Sequence, residues 1–230
     1  MAAAVMVVLT ALMGNWQLGR AAEKIALQAA IDQKQKLPPL ANADVVAAAG
    51  PADLVHHTAV LRGVWRPEHT VFLDNRQMAG KVGLFVMTPL QLAGSTTSVV
   101  VQRGWVPRNF LEREKLPQVA TPGGEVAVQV RMALPPSKLF DFQGGDNGAL
   151  RQNLDLVDFA RSTGLALRSD VAAIETEARP DGLARNWPAF NTGVDKHYGY
   201  AFQWFGLSAL LFILYVWFQF IQPRRARRRG

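Results

Sequence analysis

Twenty-two consecutive residues near the C-terminus, Tyr200 to Ile221, contain no charged side chain and no histidine. At about 1.5 Å per residue, a helix of this length is about 33 Å long, which covers a hydrocarbon core about 30 Å thick. A helix buried in the core of a soluble protein is rarely apolar on all sides over this length. We therefore predict a transmembrane helix over residues 198–221.

A group of five arginines follows this run, within residues 222–230. Arginine directly behind a membrane span marks the cytoplasmic side by the positive-inside rule, so we predict a basic cytoplasmic tail. The formal net charge of the chain is +7, and this tail accounts for +5 of it, which leaves +2 for the rest. Because the rest of the chain shows no basic stripe interleaved with aromatic residues, we predict no nucleic-acid partner.

The N-terminal residues 1–18 are also apolar and uncharged, and they would form a helix about 27 Å long. Two interpretations are open: an uncleaved first transmembrane helix, which this length spans marginally, or a secretory signal peptide. A signal peptide begins with basic residues, whereas the first charged residue here is Arg20, and Trp16 suits a membrane–water interface. We therefore predict two membrane passes, both termini in the cytoplasm, and residues 19–197 exported.

The exported domain has no cysteine, so its core must stabilise it without disulfides. The first helix is predicted to continue outward until Pro38 and Pro39, and an Ala-rich connector or short helix follows up to about Asp53. From His56 onward, five segments rich in Val, Phe, Thr and Trp are separated by turn residues, which predicts strands. These segments are "HTAVLRGVWR", "TVFLDNR", "VGLFVMTPL", "TTSVVVQRGWV" and "EVAVQVRMAL".

The second half of this domain mixes loops, a helix and short strands. One or two helical turns are predicted in "RGWVPRNFLEREKLP", and a long loop in "PPSKLFDFQGGDNGALRQN". A helix is predicted in "NLDLVDFARSTG", where Leu154, Val157 and Ala160 share one face and Gly164 ends it. One or two strands are predicted in "LALRSDVAAIETEA". The predicted fold class is α+β: two transmembrane helices flank an exported, mainly antiparallel β domain with a few helices.

The sequence shows none of the common catalytic motifs: no G-x-S-x-G, no H-E-x-x-H, no phosphate-binding or dinucleotide loop, and no nucleophilic cysteine. An exported membrane-tethered enzyme, such as a hydrolase, is therefore disfavoured. His56, His57 and His69 are candidate metal ligands, but adjacent strand residues point to opposite faces, which favours ordinary surface or strand-end roles. The charged stretches "GRAAEK" and "RPDG" are interpreted as solvated charge.

The order and spacing of several motifs resemble the surfeit locus protein one family of cytochrome c oxidase assembly factors, in a bacterial form. The motifs are "GNWQLGRAAEK", "LRGVWRPEHTVFLDNR" with a later "TPL", "QRGWVP", and "NWPAFNTGVDKHYGYAFQWFG". The resemblance implies a two-pass protein of the bacterial inner membrane with a periplasmic domain, which helps to mature the oxidase core subunit and is not an enzyme. It also implies binding of haem a, with His197 as the iron ligand. Haem a synthase and membrane lipid are further expected partners.

His197 precedes the uncharged run, so it would lie at the membrane interface. On a helix, Tyr200 follows it by about one turn and Trp204 by two turns on the same face, where aromatic rings would line a flat macrocycle. A neutral imidazole is a common axial haem ligand. Arg20 and Lys24 leave the first span at the same outer surface, and we expect Arg20, and Lys24 with it, near the haem propionates, because guanidinium pairs well with carboxylate.

Other interpretations of these residues stay open. Tyr200 and Trp204 also fit an aromatic belt, and His197 an interfacial residue bonded to water or to a backbone carbonyl. Trp16 and Gln17 are candidates for the same cofactor site or, equally, residues that pack and anchor the first helix. The alternative function is a cofactor-free membrane scaffold that stabilises oxidase assembly intermediates. Copper delivery is disfavoured, because the chain has no cysteine and no tight Met/His cluster.

Overall fold

The computed structural model describes residues 2–109, 116–138, 148–187 and 193–227. The helices are α1 (Ala2–Lys36), α2 (Asn42–Ala47), α3 (Pro51–Leu54), α4 (Leu156–Thr163), α5 (Val194–Val216) and α6 (Gln222–Arg227). The strands are β1 (Thr58–Trp65), β2 (Val71–Met78), β3 (Lys81–Leu92), β4 (Thr97–Pro107), β5 (Glu125–Ala133), β6 (Leu150–Arg151), β7 (Ala166–Leu167) and β8 (Ala172–Glu175). The chain divides into two compact units: a helical unit (Met1–Asp32 with Ala189–Gly230) and a β unit (Gln33–Pro188).

The helical unit contains two helices that are long and apolar enough to cross a membrane, Ala2–Lys36 and Val194–Arg224. The first ends just before the two prolines at 38 and 39, as predicted, because proline cannot continue a helix. The second begins at Val194, so His197 lies within its first turn. Both helices leave most of their large apolar side chains exposed, which is typical of helices surrounded by lipid.

The second long helix widens locally into a π-helical turn, Trp217–Ile221, between α5 and α6. Pro223 follows directly and accounts for this turn. A proline lacks the N–H that would bond to the carbonyl four residues earlier, and its ring clashes with that carbonyl. Widening the turn ahead of Pro223 moves that carbonyl away, which is a common cause of such irregular turns.

The β unit is built around a closed five-stranded barrel. Strand β1 pairs with β5, β5 with β8, β8 with β4, β4 with β3, and β3 again with β1. Strands β2 and β6 extend the sheet from β3, and β7 lies beside β4. The pairings β2–β6, β4–β7 and β4–β8 are parallel and the others are antiparallel, as the predicted mainly antiparallel domain requires. The five strands predicted from His56 onward, and the two after α4, are confirmed.

The barrel interior is filled by alternate residues of its strands. Along β1 these are Ala59, Leu61 and Trp65, all at most 4% exposed. They pack with a larger group of buried side chains from the other strands, from α2 and α3, and from the residue before β8: Val45, Leu54, Leu90, Leu92, Val99, Val101, Val128, Val130, Met132, Val171 and Ala173. Strict alternation of this kind places one face of each strand in the core.

The free edge of β1 is closed by the residues that lead into the barrel. The Leu40 N–H donates to the carbonyl of Thr58, and the Leu40 carbonyl accepts from the Val60 N–H, both at 2.9 Å. Two residues further on, the Asn42 side chain forms the hydrogen bonds that a neighbouring strand would form. Its Nδ2 donates to the Arg62 carbonyl at 2.8 Å, and its Oδ1 accepts from the Arg62 N–H at 3.0 Å. The backbone of β1 is therefore satisfied on both sides over these residues.

Gly63 lies where β1 changes partners. It is opposite Val126 of β5 on one side and opposite Leu92 of β3 on the other, so three strands meet at this residue. A Cβ atom at position 63 would lie 2.0 Å from the Gln91 carbonyl oxygen and 2.9 Å from its carbon. Because both are backbone atoms, only glycine allows the strands to approach this closely.

Helix α4 covers a second apolar cluster on the opposite face of the sheet. Its Leu156 and Phe159, together with Leu154 just before the helix, pack on Leu73, Met87 and Val100. The predicted helix and its end at Gly164 are confirmed, because Gly164 has φ +71° in the left-handed region. The predicted apolar face is wrong in one residue: Val157 is 53% exposed, because the helix begins only at Leu156 and turns Phe159 inward.

Asp155 caps α4, and its replacement by alanine is expected to destabilise the β unit by about 1 kcal/mol. Its Oδ1 accepts from the N–H groups of Val157 and Asp158, at 3.0 and 3.2 Å. A hydrogen bond from Lys138 holds the pKa of Asp155 below its usual range. The destabilisation by Asp155→Ala should therefore have its full size above about pH 4. It should disappear as the pH falls through the lowered pKa of Asp155. Thermal melts of Asp155→Ala measure this destabilisation, with Asp158→Ala at an exposed position as the control. Equal losses of stability in the two variants would contradict the capping role.

Some predicted elements lie outside the described residues. The helical turns predicted after β4 fall mostly on residues 110–115, and most of the predicted long loop falls on residues 139–147. The connector predicted before His56 is described, and it contains two short helices, α2 and α3.

Candidate functional site

Helices α1 and α5 pack along a seam of small and polar residues. On α1 the buried residues of this seam are Thr10, Gly14, Gln17 and Ala21, spaced four, three and four apart. On α5 the buried residues are Ala201 and Ser208. The Ser208 Oγ donates to the Val7 carbonyl at 3.0 Å, and a Cβ at Gly14 would lie 2.8 Å from the Phe205 ring. Small residues with such spacing let two apolar helices approach closely.

His197 and Gln17 meet at one end of this seam. The His197 Nδ1 lies 2.8 Å from the Gln17 Oε1, and Gln17 is only 9% exposed. An amide oxygen only accepts hydrogen bonds, so in the neutral imidazole this contact favours the tautomer with the proton on Nδ1 and the lone pair on Nε2. A histidine that ligates a metal usually donates its other ring N–H to such an acceptor, which fixes the orientation of the ring. In that tautomer, Nε2 is the ring nitrogen of His197 with the chemistry to ligate a metal.

The aromatic residues expected at this site lie in different surroundings. Trp204 is half-buried, whereas Tyr200 and Trp16 are 53% and 54% exposed and lie outside the buried seam. The structure thus brings Gln17 directly to His197, and places Tyr200 and Trp16 on exposed faces of their helices. Exposed aromatic side chains at helix ends also fit a membrane interface.

The two cationic residues expected near the haem propionates, Arg20 and Lys24, lie beyond Gln17 on α1. Arg20 follows Gln17 by one turn, and its Nη1 donates to Glu23 at 2.6 Å on the exposed surface. Lys24 lies one further turn along the helix and is half-buried. Arg20 therefore already shares its charge with a carboxylate, in a surface ion pair that contributes at most about 1 kcal/mol.

The histidines of the β unit do not form a metal centre within the described residues, where no three His, Asp or Glu side chains come together. Their surroundings are positive. Burial, Arg131 and Lys34 lower the pKa of His56, and burial and Lys34 lower the pKa of His57. Neighbouring cations of this kind oppose the binding of a further cation.

A cluster of charged, largely buried residues lies at one end of the barrel and was not predicted from the sequence. Glu175, which is 1% exposed, lies 2.9 Å from the Arg179 Nε and 3.3 Å from an Arg185 Nη. Arg185 also forms a two-bond pair with Asp181, and its side chain is 4% exposed. The interpretation of "RPDG" as solvated charge is therefore wrong: the Arg179 and Asp181 side chains are 25% and 11% exposed.

Arg103 joins this cluster to a loop. Its guanidinium lies 4.8 Å above the Trp65 ring and donates to the Thr121 Oγ at 2.7 Å and the Ala120 carbonyl at 2.8 Å. A cavity of about 840 Å³ lies beside these groups. The signal that was missed is the alternation of β4, where Arg103 occupies the same inward face as Val99 and Val101. A charge at an inward position indicates a buried ion pair.

Over most of its length, the chain is similar to proteins of one family. The model of the SURF1 family matches residues 4–209. The cytochrome oxidase assembly protein SHY1 of Saccharomyces cerevisiae is 26% identical over 157 residues, which cover 66% of this chain and 40% of the yeast protein. A SURF1-like protein of Rickettsia bellii is 24% identical over 218 residues, which cover 90% of this chain and 85% of that protein. The chain thus spans under half of the yeast relative and most of the Rickettsia relative.

Proposed function

This chain belongs to the SURF1 family, and on that premise we propose that it is a non-enzymatic assembly factor for a haem–copper cytochrome c oxidase. The similar yeast protein SHY1 is a cytochrome oxidase assembly protein, which supports this role. The proposed cargo is haem a, which the protein receives and hands to the oxidase core subunit. Haem a synthase is the proposed donor.

The hydrogen bond between Gln17 and His197 carries the proposal of haem binding. In the neutral imidazole it favours the tautomer whose Nε2 has a free lone pair, which is the chemistry that a haem iron accepts from histidine. Handover requires reversible binding, and one histidine on an exposed helix pair offers few contacts to break. The half-buried Trp204 and the exposed Tyr200 supply flat aromatic surface beside it.

Arg20 and Lys24 are the proposed partners of the haem propionates. Arg20 lies one turn from Gln17 on α1, so its guanidinium can approach a carboxylate whose carrier is held at His197. Binding would replace the ion pair of Arg20 with Glu23, which is 63% exposed and loses little when the pair breaks. Trp16 is proposed as an interfacial anchor at the same depth.

We propose that the protein crosses the bacterial inner membrane twice. The two long apolar helices support this arrangement, and the five C-terminal arginines support a cytoplasmic C-terminus. Both termini are then cytoplasmic, and the β unit lies in the periplasm. Lipid surrounds the exposed apolar faces of both helices.

An absorption spectrum of the detergent-purified full chain tests the cargo. The protein is produced with and without haem a synthesis, alongside His197→Ala and the control His69→Ala on the β unit. A reduced haem a band that needs the synthesis and His197, and survives His69→Ala, is expected. A colourless wild-type protein made where haem a is abundant would instead establish the cofactor-free scaffold.

Gln17→Leu is expected to weaken haem binding about 10- to 100-fold, because the ring of His197 loses the acceptor that orients it. Gln17→Glu keeps an acceptor oxygen and should retain most of the affinity. Haem titration of the apo protein measures both changes. Asn15→Leu, an equally apolar change at an exposed position of α1, is the control. Equal losses for Gln17→Leu and Asn15→Leu would contradict the orienting role.

A further inference from the structure

Strand β2 carries a bulge that redirects the side chain of Arg76. The register between β2 and β3 shifts between Leu73 and Arg76, and Asn75 has φ +58° in the left-handed region. A bulge turns the following side chain relative to the regular strand and is frequent beside binding sites. Arg76 is only 6% exposed, and its two Nη atoms donate to the carbonyls of Ser137, at 3.2 Å, and Gln152, at 2.9 Å. Its Nε is buried without a hydrogen-bond partner among the described residues.

Arg131, on β5, lines a small cavity that Arg76 also lines. Its neighbours in the core of the strand, Val130 and Met132, face the barrel interior, so Arg131 faces outward. The side chain is half-buried, and no described residue forms a hydrogen bond or an ion pair with it. A guanidinium that is partly removed from water without a partner loses hydration, so the stability of the fold does not explain this position.

Three other partly or fully buried arginines of the β unit have carboxylates beside them. Arg103 and Arg185 lie near Glu175 and Asp181, and Arg168 pairs with Asp170 at 2.8 Å. Arg76 and Arg131 differ, because burial alone lowers the pKa of each, with no carboxylate among the described residues to oppose it. Two positive charges therefore line one cavity without a carboxylate partner among the described residues.

The cavity has a volume of about 290 Å³, and apolar groups form most of its remaining wall. Phe85 and Trp187 meet there edge to face, with ring centroids 5.5 Å apart, and Ile174 and Pro135 lie beside them. Trp187 is fixed in place, because its Nε1 donates to the Glu175 carbonyl at 2.7 Å. The site thus combines a positive end with a rigid apolar wall.

We propose that Arg76 and Arg131 bind a carboxylate or phosphate group of a small ligand whose apolar or aromatic body packs against Phe85 and Trp187. Guanidinium groups match these two oxyanions in charge and in planar donor geometry. The volume suits a group of a few heavy atoms and excludes a large macrocycle. This site lies wholly within the β unit, and it does not depend on haem binding by the helical unit.

Binding of simple probes to the detergent-purified full chain tests the site. Benzoate and phenyl phosphate carry the two oxyanions on one aromatic ring, and neutral benzamide has the same ring without the charge. At least one of the two anions is expected to bind by calorimetry and to raise the melting temperature, whereas benzamide does neither. Arg131→Gln is expected to weaken that binding at least about tenfold, since hydrogen bonds to a charged group are lost.

The variant also separates a binding role from a structural one. Arg131→Gln removes an uncompensated charge, so its melting temperature without ligand should equal or exceed that of the wild type. Arg62→Gln, at an exposed position of β1, should leave both stability and anion binding unchanged. The proposal is overturned if neither anion binds, if benzamide binds as well as benzoate, or if Arg131→Gln binds as tightly as the wild type.

Discussion

Replacing Glu175 by alanine is expected to lower the free energy of unfolding by about 3–5 kcal/mol, because the partly buried arginines around it lose their buried carboxylate partner. Glu175 contacts Arg179 and Arg185 directly, and Arg103 lies in the same cluster. Burial raises the pKa of Glu175, and these three arginines oppose that change. Once the carboxylate is removed, Asp181 and the more exposed Glu177 are the carboxylates left among the described residues near three guanidinium groups.

Chemical denaturation followed by tryptophan fluorescence measures this loss, because Trp187 donates to the Glu175 carbonyl and lies beside the cluster. Glu177→Ala is the matched control. Glu177 also pairs with Arg179, at 3.2 Å, but its side chain is 44% exposed, so its loss should cost at most about 1 kcal/mol. Similar losses for the two variants would show that the cluster stabilises the barrel no more than a surface ion pair does.

The second large effect is expected at Gly63, where alanine should destabilise the barrel by about 3 kcal/mol or more. The added Cβ would overlap the Gln91 carbonyl oxygen at 2.0 Å, and neither strand can yield without breaking hydrogen bonds. The seam between β1 and β3 would open first, because it has only three paired residues on each strand.

Thermal melts of Gly63→Ala and Gly123→Ala measure the effect on the same protein. Gly123 has no atom within 4 Å of an added Cβ and an ordinary backbone conformation, so alanine there should change stability by less than about 0.5 kcal/mol. If Gly63→Ala melts at the same temperature as the wild type, then β1 and β3 are farther apart at this residue than in the structure.

The strands were predictable because their signal is local. Alternation in "HTAVLRGVWR" follows directly from a strand with one buried face, and β1 occupies most of that segment. Closure of the barrel was not predictable, since it depends on β3 pairing with three strands, and short strands allow several registers. The error at Val157 has the same cause: the phase of a helix depends on where it begins.

The candidate site was predictable only in part. His197 could be selected through the family resemblance, and its contact with Gln17 follows from packing between helices 180 residues apart in the chain. The charged cluster could not be paired from sequence, because Arg103, Glu175 and Asp181 meet only when β4 and β8 lie side by side. Arg76 and Arg131 likewise converge through the bulge in β2, which no local pattern in "LDNR" specifies.

The closure of β1 by Leu40 and Asn42 limits how another protein can recognise the β unit. Many binding modules are recognised by β-augmentation, in which a partner strand extends an exposed sheet edge. Here β1 has no edge to offer over Thr58–Arg62, and the outermost described strands, β6 and β7, are two residues long. Strands as short as β6 and β7 offer a partner strand few backbone groups to pair with. Short edge strands also protect a domain from edge-to-edge aggregation. A partner protein that docks on the described barrel therefore finds no free edge on β1 over Thr58–Arg62 and must use other surfaces.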